Sequence, residues 1–224
     1  MFVRPPSNPV VELIRKTRLV AILRLDDLTH AVPLVEALLR GGVRAIEFTL
    51  TNPEAPAMVT KLRKLIPAFD AGEAVIGIGS VRSGDEATTA IDAGAQFLVS
   101  PITLAAIAEA ARKHQTTFCM GAMTPTEMSL AWELGADVVK VFPARSLGPD
   151  YIRDVLAPMP YLPLMPTGAI DTNNARAYLQ AGAVAVGVGG KFMDRTLIAE
   201  QRWDEIESVA SEYCKTVARS ASHE

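Results

Sequence analysis

The chain has 224 residues, 49% of them hydrophobic and 21% charged, with a formal net charge of -3. That length suits one or two domains, and α/β barrels reach it as a single domain. The slight acidic balance supplies no basic surface for nucleic acid and no polybasic membrane anchor. No run reaches the roughly 18 uninterrupted apolar residues that would mark a membrane span. The start, MFVRPPSNPVVELIRK, lacks an apolar core followed by a small-residue cleavage site. The expectation is a cytoplasmic protein of one domain spanning 1–224.

Short β-like runs alternate with longer helical patterns along the chain. An N-terminal helix over about 8–17 precedes "RLVAILR" (18–24) and "RAIEFTL" (44–50). Then come "AVIGIGS" (74–80), "QFLVSP" (96–101) and "TTFCMGA" (116–122). "DVVKVFP" (137–143), "YLPLMPTG" (161–168) and "AVAVGVGG" (183–190) complete the strands, and an amphipathic helix over about 201–219 ends the chain, covering the barrel or a neighbour. Strands this uniformly apolar are buried on both faces, which points to a parallel sheet with helices around it.

An internal repeat narrows the architecture. "GGVRAIEF", "AGAQFLVS", "LGADVVKV" and "AGAVAVGV" share a glycine before a strand, at positions 42, 94, 135 and 182, recurring every 41–52 residues. Two βα units per period, four times over, is the pattern of a (β/α)8 TIM barrel. An open doubly wound sheet is the alternative, but it gives no reason for four matched even-numbered strands. Each glycine is expected at a helix C-terminus feeding the next strand.

The repeat also sets register. The seventh residue of each segment is Glu47, Val99, Lys140 and Gly187. Equivalent strands in equivalent register place these four in one interior layer, near the C-terminal strand ends where barrels carry their chemistry. A lysine amine in a desolvated barrel mouth can attack a carbonyl to form a Schiff base, whose iminium then stabilises a carbanion. Glu47 would shuttle protons, Arg24 in "AILR" would hold a carboxylate with its planar fork of donors, and Ser80 and Thr167 are further strand-end hydroxyls. The plain alternative is a buried Lys–Glu ion pair with no chemical role.

Two glycine-bearing turns, "PTGAI" (166–170) and "GVGGKF" (187–192), follow the seventh and eighth strands. Barrels often cradle phosphate there with backbone N–H groups. Gly168, Gly189 and Gly190 permit close approach and Lys191 adds charge. Metal chemistry is not expected, because the histidines (His30, His114, His223) fall in helical or terminal segments. Cys119 and Cys214 are far apart without CxxC spacing, so neither a disulfide nor a zinc site is indicated, and Cys119 is expected to be a small core thiol.

At these residues the chain resembles the 2-keto-3-deoxy-6-phosphogluconate (KDPG) and 4-hydroxy-2-oxoglutarate (KHG) aldolase family. The resemblance runs from about residue 20 to 192, over "VAILR", "GGVRAIEFTLTNP", "VIGIGSV", "AGAQFLVSP", "MTPTE", "VVKVFPA", "LGPDYI", "PTGAI" and "VGVGG". It implies a homotrimeric (β/α)8 barrel of carbohydrate metabolism that cleaves a keto-acid phosphate to pyruvate and glyceraldehyde 3-phosphate. No cofactor is implied beyond the covalent Schiff base. By the resemblance, Lys140 is the Schiff-base lysine and Glu47 its proton shuttle. Arg24, Ser80 and Thr167 would bind the pyruvate and carboxylate portion, and Gly168, Ala169, Gly189, Gly190 and Lys191 the phosphate.

Three positions depart from the family pattern. Met120 replaces a common proline and is expected to reshape the floor near the pyruvate, Ala169 replaces a second glycine, and Lys191 replaces a common serine. Two other readings stay open on the residues alone: a phosphate-binding barrel isomerase or epimerase, and a non-catalytic metabolite sensor.

Overall fold

A computed structural model describes residues 8–218. The strands are β1 (Leu19–Leu23), β2 (Ala45–Thr49), β3 (Val75–Gly79), β4 (Phe97–Val99), β5 (Thr117–Ala122), β6 (Val138–Val141), β7 (Leu164–Pro166) and β8 (Val186–Val188). All ladders are parallel, in the order β7-β6-β5-β4-β3-β2-β1-β8. Between β7 and β8 the ring closes through one parallel bridge, Thr167 to Gly187. A hydrogen bond of 2.9 Å from the Val184 N–H to the Leu164 carbonyl supports it. The sheet is therefore a nearly closed (β/α)8 barrel, and the open doubly wound alternative is set aside.

Strand parity sorts the core into two shells, because successive side chains point to opposite faces. Val20, Ala45, Val75, Phe97, Val99, Cys119, Val138, Met165 and Ala185 pack together inside the barrel. Ile46, Ile76, Leu98, Met120, Val139 and Leu164 pack outward against the helices. Helix α1 (Pro9–Thr17) closes the N-terminal end of the barrel, with fully buried Ile14 joining the interior shell. Its cap explains the fixed entry. The Asn8 carboxamide oxygen accepts from the Val11 N–H at 3.0 Å and from the Thr117 hydroxyl on β5 at 2.9 Å.

The four repeat glycines share one function. Gly42, Gly94, Gly135 and Gly182 all lie at φ between 92° and 105°. Each follows a helix: α2 (Ala31–Arg40), α4 (Gly84–Asp92), α6 (Pro125–Glu133) and α8 (Ala175–Gln180). After α2, the Gly42 N–H donates to the Leu39 carbonyl and the Val43 N–H to the Leu38 carbonyl, and the same pair of bonds recurs at the other three. This is the Schellman arrangement, whose left-handed residue only glycine adopts without penalty. The repeat is thus a repeated helix stop that starts every even strand in the same register.

The last helix, here α10 (Trp203–Ala218), lies against α2 of its own barrel. At the crossing, a methyl on Gly41 would sit 2.5 Å from Ala210 Cβ and 2.6 Å from the Glu207 carbonyl oxygen, so only glycine permits the approach. The final expected residue, 219, lies outside the described residues, as does His223. Among the described residues, no helix is long and apolar enough to cross a membrane.

Candidate active site

The barrel interior is packed with large side chains at its N-terminal end and lined with glycines nearer its C-terminal end, and the same parity produces both. Continuing inward along the strands past the Val, Phe and Met layer, the next inward positions include Gly77, Gly79, Gly121 and Gly187. Their missing side chains are occupied by neighbours. A methyl on Gly121 would come 2.6 Å from the Ile102 backbone nitrogen, and one on Gly187 would press on the Thr167 hydroxyl and lie 3.1 Å from Ile22 Cδ1. At this level stand the two buried charged residues of the described strands, Glu47 and Lys140.

Glu47 pairs in register with Ile22 on β1 and Gly77 on β3, and Lys140 with Gly121 on β5 and Met165 on β7. Both are buried, at 1% and 6% relative exposure, and that burial decides that they are not surface charges. Val99 belongs to the interior shell and Gly187 faces Thr167 and Ile22, so all four residues of the repeat register face the barrel interior. The Lys140 ammonium lies 5.0 Å from the centroid of the Phe142 ring, within cation–π range. The Phe142–Pro143 peptide bond that follows is cis.

Both carboxylate oxygens of Glu47 are buried without a hydrogen-bond partner. Burial therefore holds this carboxyl above its ordinary range, and the opposing pull of the Lys140 and Arg24 charges is the smaller effect. A carboxyl tuned upward beside a buried amine is suited to give and take a proton. Cys119 sits on the inner face of β5, where burial and nearby carboxylates push its thiol up and keep it protonated. It is a core thiol, not a nucleophile.

The remaining candidates stand around the rim. Arg24 is exposed just past β1, and its backbone N–H donates to the Met193 sulfur at 2.7 Å. Ser80 follows β3 at φ 61°, half-buried. Thr167 is buried, its N–H donating to the Val141 carbonyl and its carbonyl accepting from the Ala144 N–H, each at 2.9 Å. Gly168, at φ 108°, passes the Phe142 ring and the Ala144 nitrogen, and Ala169 follows at φ 55°. The Asn174 carboxamide steadies that left-handed alanine by donating to its carbonyl at 2.9 Å. Gly189 leads into a short 3-10 turn, Gly190–Met193, anchored by buried Phe192 against Tyr213 of α10 with ring centroids 4.9 Å apart. The Lys191 side chain lies outside what is described.

Met120 needs correcting. The expectation is that it reshapes the floor near the pyruvate, but β5 directs Cys119 and Gly121 inward and Met120 outward, into the shell beneath the helices, so its side chain does not form that floor. Three residues that sequence reasoning passed over also shape the site. Gly79 and Phe142 border the Glu47 and Lys140 side chains. Asn52, nearly buried, ties the loop after β2 to the loop after β1 by donating at 3.1 Å to both the Leu25 and Asp26 carbonyls. For Gly79 and Phe142 the only available signals were the glycine alternation of "VIGIGS" and the aromatic beside the lysine in "VKVFP".

Comparisons with known proteins agree with this geometry. A 2-dehydro-3-deoxy-phosphogluconate aldolase of Treponema pallidum is 31% identical over 82% of this chain and 85% of its own. The Haemophilus influenzae protein of the same name is 29% identical over 92% and 95%. Among solved structures, a KDPG aldolase from Legionella pneumophila, with pyruvate captured as a covalent carbinolamine intermediate, superposes with a TM-score of 0.82. It is 25% identical over 92% of this chain and 97% of that one. The family described as KDPG and KHG aldolase matches residues 10–209. By its barrel, its buried lysine and carboxyl, and this match over nearly its whole length, the chain belongs to the KDPG and KHG aldolase family.

Proposed function

We propose that this aldolase cleaves 2-keto-3-deoxy-6-phosphogluconate to pyruvate and glyceraldehyde 3-phosphate through a Schiff base on Lys140, without a metal ion. The observation that carries the reading is one buried amine and one buried, unpartnered carboxyl facing the same end of the barrel interior. The amine nitrogen attacks the C2 carbonyl carbon, and loss of water gives the iminium. Glu47, ionised, takes the proton of the C4 hydroxyl. The C3–C4 bond then breaks, its electron pair forms the enamine, and the aldehyde leaves. The carboxyl returns its proton to C3, and hydrolysis of the iminium releases pyruvate and restores the amine.

Each rim residue has a matching task in this reading. Arg24, Ser80 and Thr167 hold the carboxylate end of the substrate. The backbone N–H groups of Gly168, Ala169, Gly189 and Gly190, with Lys191, receive the phosphate at the loops after β7 and β8. The enzyme acts in the cytoplasm, in the Entner-Doudoroff route of carbohydrate metabolism. A homotrimer is supported by the exposed apolar side chains Ile102, Leu104, Met123, Leu130 and Tyr161, which a partner copy would cover.

Incubation with pyruvate and sodium borohydride, followed by peptide mass spectrometry, tests the mechanism. A reduced pyruvate adduct on Lys140, absent from Lys140→Ala, is expected, and no adduct on folded protein would refute it. Release of pyruvate from KDPG, its galactonate epimer and 4-hydroxy-2-oxoglutarate, measured side by side, ranks the substrates. Light scattering reports the oligomeric state.

A further inference from the structure

Gly79, the last residue of β3, has no backbone reason to be glycine. Its φ lies outside the left-handed region, and a glycine inside a strand weakens it by leaving nothing to pack. The reason is on the next strand. A methyl built on Gly79 would overlap Oε1 of Glu47, crowd its Cδ and stand 2.7 Å from its Cγ. The carboxyl therefore occupies the volume that a side chain at 79 would fill. Because Cγ is also crowded, turning the terminal carboxyl alone would not relieve the overlap. Gly77, one inward step below, is required by something else, since a methyl there would lie 2.5 Å from the Phe97 carbonyl oxygen.

We propose that Gly79 is the positioning residue for proton transfer: its missing side chain lets the Glu47 carboxyl lie against β3 without a hydrogen-bond partner, facing the substrate carbon. This rests on the Glu47 reading above. Neither oxygen is hydrogen-bonded, so no bond on the protein fixes the carboxyl in place, and the shape of the cavity does so instead. In the step concerned, the C3–H proton of the pyruvate iminium passes to the carboxylate. The C–H electron pair becomes the C2–C3 double bond of the enamine, and the iminium π pair returns to nitrogen.

Exchange of the pyruvate methyl protons in D2O, followed by NMR, isolates that step. Borohydride trapping at long incubation reports the lysine separately. Gly79→Ala should slow exchange at least about 100-fold, in the range for a lost general base, while the trapped adduct on Lys140 still forms. In a Glu47→Gln background the same change should alter exchange less than about 3-fold. Exchange in Gly79→Ala within about 3-fold of the parent would overturn the proposal. So would equal losses in both backgrounds, which would mark a scaffold role. If Glu47→Gln alone exchanges at the parental rate, the Glu47 reading itself fails and takes this one with it. A thermal cycle covers the case in which Gly79→Ala does not fold. Adding Gly79→Ala to Glu47→Ala, where the carboxyl no longer fills the space, should leave the melting temperature unchanged. An equal drop in both backgrounds would show that something other than the carboxyl sets that space.

Discussion

Replacing Glu47 by glutamine should make the protein more stable and nearly inactive, and the structure fixes how that trade depends on pH. The side chain is fully buried and neither carboxylate oxygen has a partner. Burial raises its pKa above the ordinary 4.5, outweighing Lys140 and Arg24. A carboxyl raised in the folded state contributes stability that is fully present below its unfolded value and is lost as pH rises through its folded value. As pH rises through that folded value the protein comes to carry an ionised group whose burial Lys140 and Arg24 only partly offset, whereas below the unfolded value the group is neutral. Glutamine keeps the shape and removes the charge.

The glutamine amide is left as unpartnered as the carboxyl, so the size follows only from the excess cost of burying the charge, on the order of a few kcal/mol. The lost attraction to Lys140 and Arg24 offsets part of it, which leaves a gain of roughly 1–2 kcal/mol. For a chain of this length that is about 2–8 °C in melting temperature. Scanning calorimetry at pH 5, 6.5 and 8 should find the offset largest at pH 8 and shrinking towards acid. At the same time kcat should fall by about 100-fold to 10,000-fold. A variant that melts below the parent at pH 8, or an offset that ignores pH, would refute the claim that an unpaired buried charge resides here.

Three further outcomes follow from single residues. Ala169→Gly should raise the melting temperature by about 1–4 °C, because relief of a left-handed alanine, about 1–2 kcal/mol, exceeds the entropy lost by glycine, about 0.5–1 kcal/mol. A fall would mean that the alanine is not strained. Ile14→Ala empties the plug at the N-terminal end and should cost about 2–5 kcal/mol in urea unfolding while kcat stays within about 2-fold. Asn52→Ala removes two donated bonds and one accepted from the Glu54 N–H, so about 2–3 kcal/mol should be lost. Since those bonds hold the loop next to Arg24, KM should rise more than kcat falls.

Register was the legible part of this sequence, and the reason is physical. Four Schellman glycines stop four helices in the same way, so counting from each glycine reaches the same height in the barrel, at Glu47, Val99, Lys140 and Gly187. Strand ends were less legible. "YLPLMPTG" suggested 161–168, whereas β7 is only Leu164–Pro166, because Pro163 and Pro166 have no N–H to donate to a ladder. Met120 was misplaced through an error of parity. With Cys119 on the same strand, neighbouring residues must face opposite shells, and only one of them could border the cavity. Gly79 was beyond reach, because a glycine in a strand signals a bulge, a bend or a close approach equally well, and only coordinates reveal that a carboxyl fills the space.

The interior of this barrel assigns stability and chemistry to opposite ends of the same strands. Near the N-terminal end, every inward position is a packed side chain, and Ile14 from α1 seals what remains. Further on, inward glycines on β3, β5 and β8 are filled by neighbouring groups, and at Gly79 the group that fills the space is the Glu47 carboxyl. A carboxyl without a partner is tolerable only because the shell beneath it is rigid, since a looser wall would let the side chain swing to a better solvated position. The lower packing thus does more than hold the domain together against a net stability of about 5–15 kcal/mol. It keeps a costly group in a shape that the protein supplies no hydrogen bond to maintain, so Phe97→Ala, which opens space directly against Gly77, the register partner of Glu47, should loosen Glu47 and slow proton exchange, whereas Ile14 plugs the far end of the barrel and its loss should not.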